Sequence, residues 1–423
     1  MAKVSALPGS NSQETGASLP ERLLGGQFLE LLEGHLRRLR KVQDHPNRVL
    51  HYDDLLTLLL ICFFNPTIRS LRTLQSASRM VGLQEHLSVE QACRSTISDA
   101  NRVLDPALLK PLIEDLRKRL PQLPHTDRKL EQLLRQVRAV DGSFFSVAAD
   151  VEWALRKRKA GSATTDDRFV RLDLQLCCAT GIPTGVEISG KGTSEVSVFR
   201  RHIEPGMIYV ADRGVFSFNY VRDLIAAPAD FVLRIKTSQS FQATEHRTLD
   251  PADMEAGVIS DCVGQIVPAP VARLKTPSIA AANPPIGSLR QVIINDPNNP
   301  GKPVRLLSNM LDVPAHVLGV IYRWRWQIEL FFRWLKVHAN FRHLISHSPN
   351  GLGIGFHVAV IAVLLMYLHS GRKVSKYAYS LLTMVAMGMG TVSDIIPILE
   401  DREREKRLER ERLARKRLEK KAK

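Results

Sequence analysis

Hydrophobic positions change their spacing along the chain, and these changes divide it into segments. From Glu21 to about Leu120, apolar residues recur three and four positions apart, as in LLGGQFLELLEGHLRRLRK, which is typical of amphipathic helices. Residues 21–130 are therefore predicted to form a helical N-terminal domain, and the many arginines outside its apolar stripe indicate a DNA-binding role. The preceding residues 1–20 are small and polar, lack the apolar stretch of a signal peptide and are predicted to form a disordered tail.

Near Val137 the spacing changes from that of helices to that of strands. Apolar or alternating runs occur in VRAVDGSFFSV, RLDLQL, MIYVADRG and DFVLRIK, with helical segments between them. A hairpin is predicted at Thr180-Gly181. This order predicts an α/β domain in which helices flank a central mixed sheet. The pattern resumes after an interruption, so the predicted core comprises residues 131–236 and 304–390.

The interruption and the C-terminal end have their own patterns. Residues 237–303 are rich in proline and contain short β-like runs such as LRQVIIND, which predicts a β-rich insertion. Residues 391–423 alternate in charge and are predicted to form a solvated helix or tail, with a nucleic-acid-binding arm as the alternative. The apolar run Leu352–Leu368 is short for a membrane span and contains His357, so a buried core helix is predicted.

The charge of the chain narrows the choice of partner. Lysine and arginine number 59 against 43 acidic residues, a formal net charge of +16. A field of this sign favours a polyanion such as DNA or RNA. The five cysteines form no C-x-x-C pair, which is typical of a reducing compartment. A cytoplasmic, nucleoid-associated protein is therefore expected, with no membrane partner.

The segment VLGVIYRWRWQIELFFRWLKVHANF is the most informative helix pattern. At 3.6 residues per turn, its polar side chains share one face within about 80° of arc. The residues on that face are Tyr322, Arg325, Glu329, Arg333 and Lys336. One carboxylate is thus framed by cations and a phenol. A salt-bridged surface stripe is the alternative interpretation.

Two further carboxylates occur in apolar strands, where a charge is costly unless it serves a purpose. Asp141 lies inside one strand and Asp212 ends another, where sites collect in open α/β sheets. Together with Glu329 they could hold two hard divalent cations for phosphoryl transfer. The alternatives are an Asp-Gly turn at Asp141 and a helix cap at Asp212.

These residues resemble the signature of the IS4 family of DDE transposases. Tyr322, Arg325, Glu329 and Lys336 keep all the spacings of its Y-x2-R-x3-E-x6-K motif. The two strand aspartates match as VDG and ADRG. The resemblance covers roughly Val137 to His347.

The resemblance implies a fold, a site and an activity. It implies a ribonuclease-H-like catalytic core in which Asp141, Asp212 and Glu329 bind two Mg²⁺ ions, for which Mn²⁺ is expected to substitute. It implies DNA cleavage and strand transfer at the ends of an insertion sequence. The implied partners are double-stranded DNA, as inverted-repeat ends and as target, and a second copy of the chain in a DNA-bound homodimer. The predicted DNA contacts are Tyr322, Arg325, Arg333 and Lys336.

One feature departs from the family. Better-known relatives carry a tryptophan in the insertion that stacks on a flipped base, whereas no tryptophan lies between Asp212 and Tyr322 here, and Phe241 is the only aromatic residue of the insertion. Two other functions stay open, namely a catalytically inactive DNA-binding regulator and a nuclease of the same fold.

Other chemically capable residues are given structural or solvated roles. Asp150, Asp166 and Asp167 are expected to be solvated, and Asp173 is expected to point outward from its strand. Another set, the histidines after the signature helix, lacks a neighbouring cysteine and is predicted to pack or face phosphates rather than bind zinc. Its members are His338, His343 and His347.

Overall fold

A computed structural model describes most of the chain. The described residues are 29–42, 48–65, 68–120, 128–147, 151–158, 166–268, 284–296, 299, 301–337, 346–370, 377–378, 380–381 and 392–421. The predicted tail at 1–20 lies outside them. Contacts divide the chain into two compact units, one made of Met1–Ala100 with Tyr377–Lys423 and the other of Asn101–Lys376. The domain boundaries given above remain predictions.

The helices follow the periodic segments of the sequence. Among the described residues they are α1 Glu33–Lys41, α2 Tyr52–Phe64, α3 Leu71–Ala77, α4 Val81–Gln84, α5 Arg94–Val103, α6 Lys110–Arg119, α7 Arg128–Gln136, α8 Glu195–Arg201, α9 Phe218–Ala226, α10 Pro251–Glu255, α11 Ala315–Trp324, α12 Trp326–Val337, α13 Pro349–Ser370 and α14 Val392–Lys421.

The strands belong to one sheet. They are β1 Val137–Val147, β2 Leu155–Arg158, β3 Asp166–Cys177, β4 Ile182–Ser189, β5 Ile208–Ala211, β6 Asp230–Arg234, β7 Ser240–His246, β8 Val258–Val267, β9 Ile286–Ile294 and β10 Val304–Ser308.

In the first unit, the regular secondary structure of the described residues up to Ala100 consists of helices, as predicted. Helix α2 is apolar at nearly every position and almost entirely buried. Its one buried carboxylate, Asp54, accepts hydrogen bonds from the backbone and hydroxyl of Ser88 at 2.9 and 2.6 Å and lies 3.3 Å from Arg40. These partners offset the cost of burying a charge among leucines.

The sheet of the second unit has the order expected of a ribonuclease-H-like core. Strand β3 pairs antiparallel with β1 on one side and with β4 on the other. The predicted hairpin joins β3 to β4, and Gly181 in its turn has a φ of 68°. On its other side β1 pairs parallel with β5, and β5 pairs parallel with β6. The fold class predicted from the sequence is confirmed. Helices α8 and α9 contribute Phe199 and Tyr220 to the core beside these strands.

The predicted insertion is β-rich, as expected, and it lengthens the sheet. Strands β7, β8 and β9 form an antiparallel meander. Strand β10 then pairs antiparallel with both β9 and β6. The insertion is therefore hydrogen-bonded to the core through β10.

Helix α13 is the apolar segment predicted to be a core helix. Residues Pro349–Leu368 are long and apolar enough to cross a membrane, but 89% of the most apolar window is buried inside the protein. The helix packs against α6 and β4, which agrees with the prediction of a core helix.

The signature segment forms two helices rather than the single one that its periodicity predicts. Helix α11 ends at Trp324 and α12 begins at Trp326. At the break, the Arg325 N–H donates to the Tyr322 carbonyl at 3.0 Å and the Ile328 N–H to the Arg325 carbonyl at 3.1 Å. Hydrogen bonds between residues three positions apart tighten the chain at this point. The prediction of one uniform helix at 3.6 residues per turn is therefore wrong at Arg325.

Candidate active site

The strand register places three charged residues side by side. In the parallel pair of β1 and β5, Val140 lies opposite Ala211, and in the next pair Ala211 lies opposite Leu233. The residue that follows each of these is Asp141, Asp212 and Arg234. The sheet therefore brings two of the predicted carboxylates to neighbouring strands, together with an arginine that sequence reasoning missed.

Asp141 lies inside a continuous strand, so the alternative of an Asp-Gly turn is wrong. Its Oδ1 accepts the Gly142 N–H at 2.9 Å. Burial raises the pKa of Asp141 to about 6; Arg325 and the Gly142 N–H oppose the rise, and the charges of Glu329 and Asp212 add to it. All three predicted carboxylates thus interact electrostatically.

Asp212, which follows β5, lies close to two polar side chains, one through a hydrogen bond and one through an ion pair. The Tyr322 hydroxyl lies 3.4 Å from its Oδ1, and Arg234 Nη1 lies 3.5 Å away. The next helix is capped by Ser217, whose side chain accepts from the Tyr220 N–H, so Asp212 is not its cap. Burial raises the pKa of Tyr322; Arg325 opposes this rise and the Asp212 charge adds to it.

Arg325 joins the other two carboxylates. Its Nη2 lies 2.5 Å from Glu329 Oε1 and its Nη1 lies 3.9 Å from Asp141 Oδ2. The Arg325–Glu329 pair has the i,i+4 spacing of the salt-bridged alternative. However, the Arg325 side chain is only 11% exposed and also faces a strand carboxylate, so it is not part of a solvated surface stripe.

The other two predicted DNA contacts lie further along α12. Arg333 is exposed. The Lys336 Nζ lies 5.0 Å from the centre of the Phe145 ring on β1, within the range of a cation–π contact. Cations therefore lie on both sides of Glu329 in the sequence, with Arg325 before it and Arg333 and Lys336 after it.

Glu195 is a second residue that sequence reasoning missed. It begins α8, after the N-cap Ser194. Burial raises the pKa of Glu195, and the charges of Asp141 and Asp173 raise it further. A Cβ atom placed on Gly142 would lie 2.5 Å from Glu195 Oε1, so the glycine of the VDG motif makes room for this carboxylate. A signal existed for Arg234, a charge in the apolar strand DFVLRIK, whereas Glu195 carried none.

A different group has the tightest arrangement of metal-binding side chains among the described residues. Ligand atoms of Asp250, Asp253 and His316 all lie within 4.8 Å of one another, which is not so for the three predicted carboxylates. Hydrogen bonds explain this group, because Asp250 caps α10 and Asp253 accepts from the backbone and ring of His316 at 2.8 Å each.

Asp173 corrects the prediction that it points outward. It is 1% exposed, and its Oδ1 lies 2.6 Å from Arg171 Nε. Ser189 Oγ lies 2.5 Å from its Oδ2. Among the other candidates, His347 accepts a hydrogen bond from Trp153 through its carbonyl at 3.2 Å. The side chains of five lie outside the described part: Asp150, Asp166, Asp167, His338 and His343.

Carboxylates thus lie where the parallel pairing of β1 with β5 ends and on a following helix, and oxygen ligands of this kind suit divalent cations. The model of the transposase DDE domain family matches residues 132–365, more than half of the chain. The chain belongs to this family, which generally uses a divalent metal.

Several curated relatives agree with the family. A Sinorhizobium fredii protein described as a transposase is 26% identical over 186 residues, 44% of this chain and 49% of its own. The Geobacillus stearothermophilus protein described for insertion sequence element IS5377 is 34% identical over 85 residues, 20% of this chain and 22% of its own. The Synechocystis protein described for element IS4SA is 23% identical, over 70% of this chain and 77% of its own. The chain thus spans about half or less of the first two relatives.

Proposed function

We propose that this protein is a transposase that cuts DNA at the ends of an insertion sequence and joins those ends to target DNA. The observation that carries the proposal is the register that sets Asp141 beside Asp212, with Arg325 linking Asp141 to Glu329. Membership of the transposase DDE domain family supports the same reaction.

Asp141, Asp212 and Glu329 would hold two Mg²⁺ ions, with Mn²⁺ as a substitute. The residues fit this group, because carboxylate oxygens are the donors that hard divalent cations prefer. Burial, more than the charges of Glu329 and Asp212, raises the pKa of Asp141, and a bound cation would offset the cost of burying this carboxylate, as Arg325 does in part. Two such ions activate the attacking oxygen and stabilise the leaving oxygen in phosphoryl transfer.

The surrounding cations and phenol would orient the DNA. Arg325 is held by carboxylates in this structure, and once their charge is neutralised its planar guanidinium is free to bind a phosphate with two donors. Tyr322 would contact the backbone beside Asp212. Arg333 and Lys336 extend the same cationic surface along α12, so that the strand to be cut would cross the carboxylates.

The proposed partners are the double-stranded inverted-repeat ends and the target DNA, bound by a homodimer. The formal charge of +16 supports a phosphate-rich partner, since each bound phosphate releases condensed counterions. The helical first unit would supply DNA contacts apart from the carboxylates.

Glu329→Gln tests the proposed chemistry. The change keeps the volume of the side chain and removes its charge, so binding to inverted-repeat DNA should stay within about twofold while Mg²⁺-dependent cleavage falls at least about 10³-fold, the scale of several kcal/mol. Both are measured by gel assays with labelled ends.

Glu114→Gln is the matched control, because Glu114 is an exposed carboxylate paired only across one helical turn with Arg117. Near-parental cleavage by Glu329→Gln would remove Glu329 from the reaction. Tight end binding without cleavage by the parent protein would favour the inactive regulator. Cleavage without strand joining would favour the nuclease.

A further inference from the structure

We propose that the insertion between Asp212 and Glu329 positions helix α11, and with it Tyr322 and Arg325, through two polar contacts, one buried and one partly exposed. The inference rests on the proposed function, because positioning matters only if those side chains serve the reaction. It assigns a task to an insertion whose only aromatic residue, Phe241, packs against the hydrophobic core.

The first contact is a buried ion pair aimed at the chain that leads into α11. Arg290 on β9 and Asp261 on β8 are 3% and 4% exposed and form two bonds, at 2.8 and 2.6 Å. The remaining nitrogen of Arg290 donates to backbone carbonyls, which are those of Met310 at 3.3 Å, Leu311 at 3.1 Å and Val313.

A buried arginine with these partners holds the backbone carbonyls that accept its hydrogen bonds in one conformation. Removing water from two charges is costly unless every donor is used. Here the donors of Arg290 are divided between Asp261 and a single turn of backbone, so the ion pair is satisfied only when residues 310–313 keep this conformation. Arg247, also in the insertion, donates to the Leu311 carbonyl as well. The insertion therefore sets where α11 begins.

The second contact is a helix cap supplied from another element. Pro314 precedes α11 and provides no side-chain cap. Instead Asp253 Oδ1, on α10, accepts the His316 N–H and lies 2.8 Å from the His316 ring nitrogen. A carboxylate there satisfies an unpaired N–H and complements the positive end of the helix dipole.

The Asp253 carboxylate also serves its own helix. Its Oδ2 accepts the Asp250 N–H at 3.4 Å, within the capping box of α10. Asp253 thus ties the start of α10 to the start of α11.

A close approach further along completes the contact between insertion and helix. A Cβ atom on Gly319 would lie 2.7 Å from Ile294 Cδ1, at the end of β9. The insertion therefore contacts the chain at 310–313, at His316 and at Gly319, one turn before Tyr322. Since Tyr322 faces Asp212 at 3.4 Å, a small shift of α11 would misplace the hydroxyl and the arginine that follows it.

Asp253→Asn, alone and with Pro314→Asp, tests the positioning role. The single variant should bind ends within about twofold of the parent but cleave prebound DNA about tenfold more slowly, the scale of a lost cap. Amide hydrogen exchange should accelerate in residues 315–322. Pro314→Asp supplies a new cap for α11 from its own N-cap position, so the double variant should recover both cleavage and protection.

Glu114→Gln serves again as the control, an exposed carboxylate on α6 that lies outside the insertion. Parental cleavage and exchange by Asp253→Asn would overturn the inference. It would also fail if exchange accelerated throughout the insertion and Pro314→Asp restored nothing, since Asp253 would then only stabilise the insertion. If the parent protein does not cleave DNA, the proposed function fails, while the exchange measurement still decides whether Asp253 fixes α11.

Discussion

Asp141 and Gly142 are consecutive residues whose side-chain positions lie on opposite faces of β1. Asp141 faces Arg325, whereas the open side of Gly142 accommodates a different set of groups. A Cβ atom there would lie 2.5 Å from Glu195 Oε1 and 3.0 Å from Arg171 Cδ and Asp173 Oδ1. The motif therefore combines a proposed metal-binding carboxylate with a glycine that lets a further carboxylate approach.

Gly142→Ala should destabilise the protein by about 1–3 kcal/mol, because the new methyl group must displace the Glu195 carboxylate from a crowded, half-buried position. The free energy of unfolding by urea measures this effect. Gly287→Ala in β9 is the control, since its methyl group would enter open space. Equal stability of the two variants would show that Glu195 moves aside without cost.

At the scale of residues, a charge that interrupts an apolar strand can be recognised in the sequence, and this signal identified Asp141 and Asp212 as candidate metal ligands. The same rule misjudged Asp173. Alternation tells which residues share a face, so it places Arg171 and Asp173 together, but it does not tell whether α8 covers that face. Glu195 could not be predicted, because its proximity to Asp141 depends on how α8 packs on the sheet.

At the scale of elements, the hydrophobic spacing does not predict the break between α11 and α12 at Arg325. No proline or glycine interrupts the segment from Tyr322 to Lys336, so its pattern predicts one helix. The break accompanies the turning of a nearly buried arginine toward Asp141 and Glu329. A tertiary ion pair of this kind leaves no mark on local spacing.

The cap between α10 and α11 should make stability depend on acid pH. Burial would raise the pKa of Asp253, but hydrogen bonds from the His316 side chain and backbone and from the Asp250 backbone outweigh it, so the pKa is lowered. As pH falls below the ordinary value of about 3.9, the unfolded chain takes up a proton before the folded chain does. The stabilisation is therefore complete above that pH and is lost as pH falls through the lowered value.

The parent protein should accordingly exceed Asp253→Asn in urea-unfolding midpoint at pH 7, and the difference should shrink towards pH 3. Glu114→Gln should show no comparable pH-dependent gap. A difference that stays constant across this range would show that the Asp253 charge contributes nothing to the cap.

At the scale of the whole molecule, the sequence predicted the fold class of the second unit, because strands alternate with helical segments around a hairpin. The pairing of the strands was not predicted: β1 lies between β3 and β5, and β10 lies beside β6, so strand order in the sheet departs from sequence order. The apolar run Leu352–Leu368 was assigned to the core because it is short for a span and contains His357; helix α13 extends beyond this run and is long enough to span, but its burial agrees with a core helix. The role of the first unit and the predicted homodimer depend on DNA and stay predictions.

Asp141, Asp212 and Glu329 are the proposed metal ligands, and Mn²⁺ soaked into crystals of the full chain should show whether they hold the ions. In an anomalous difference map we expect two peaks about 4 Å apart among these three carboxylates, with the Arg325 guanidinium displaced from Glu329. Absence of density there, or a single peak at Asp250, Asp253 and His316 instead, would rule out this metal site.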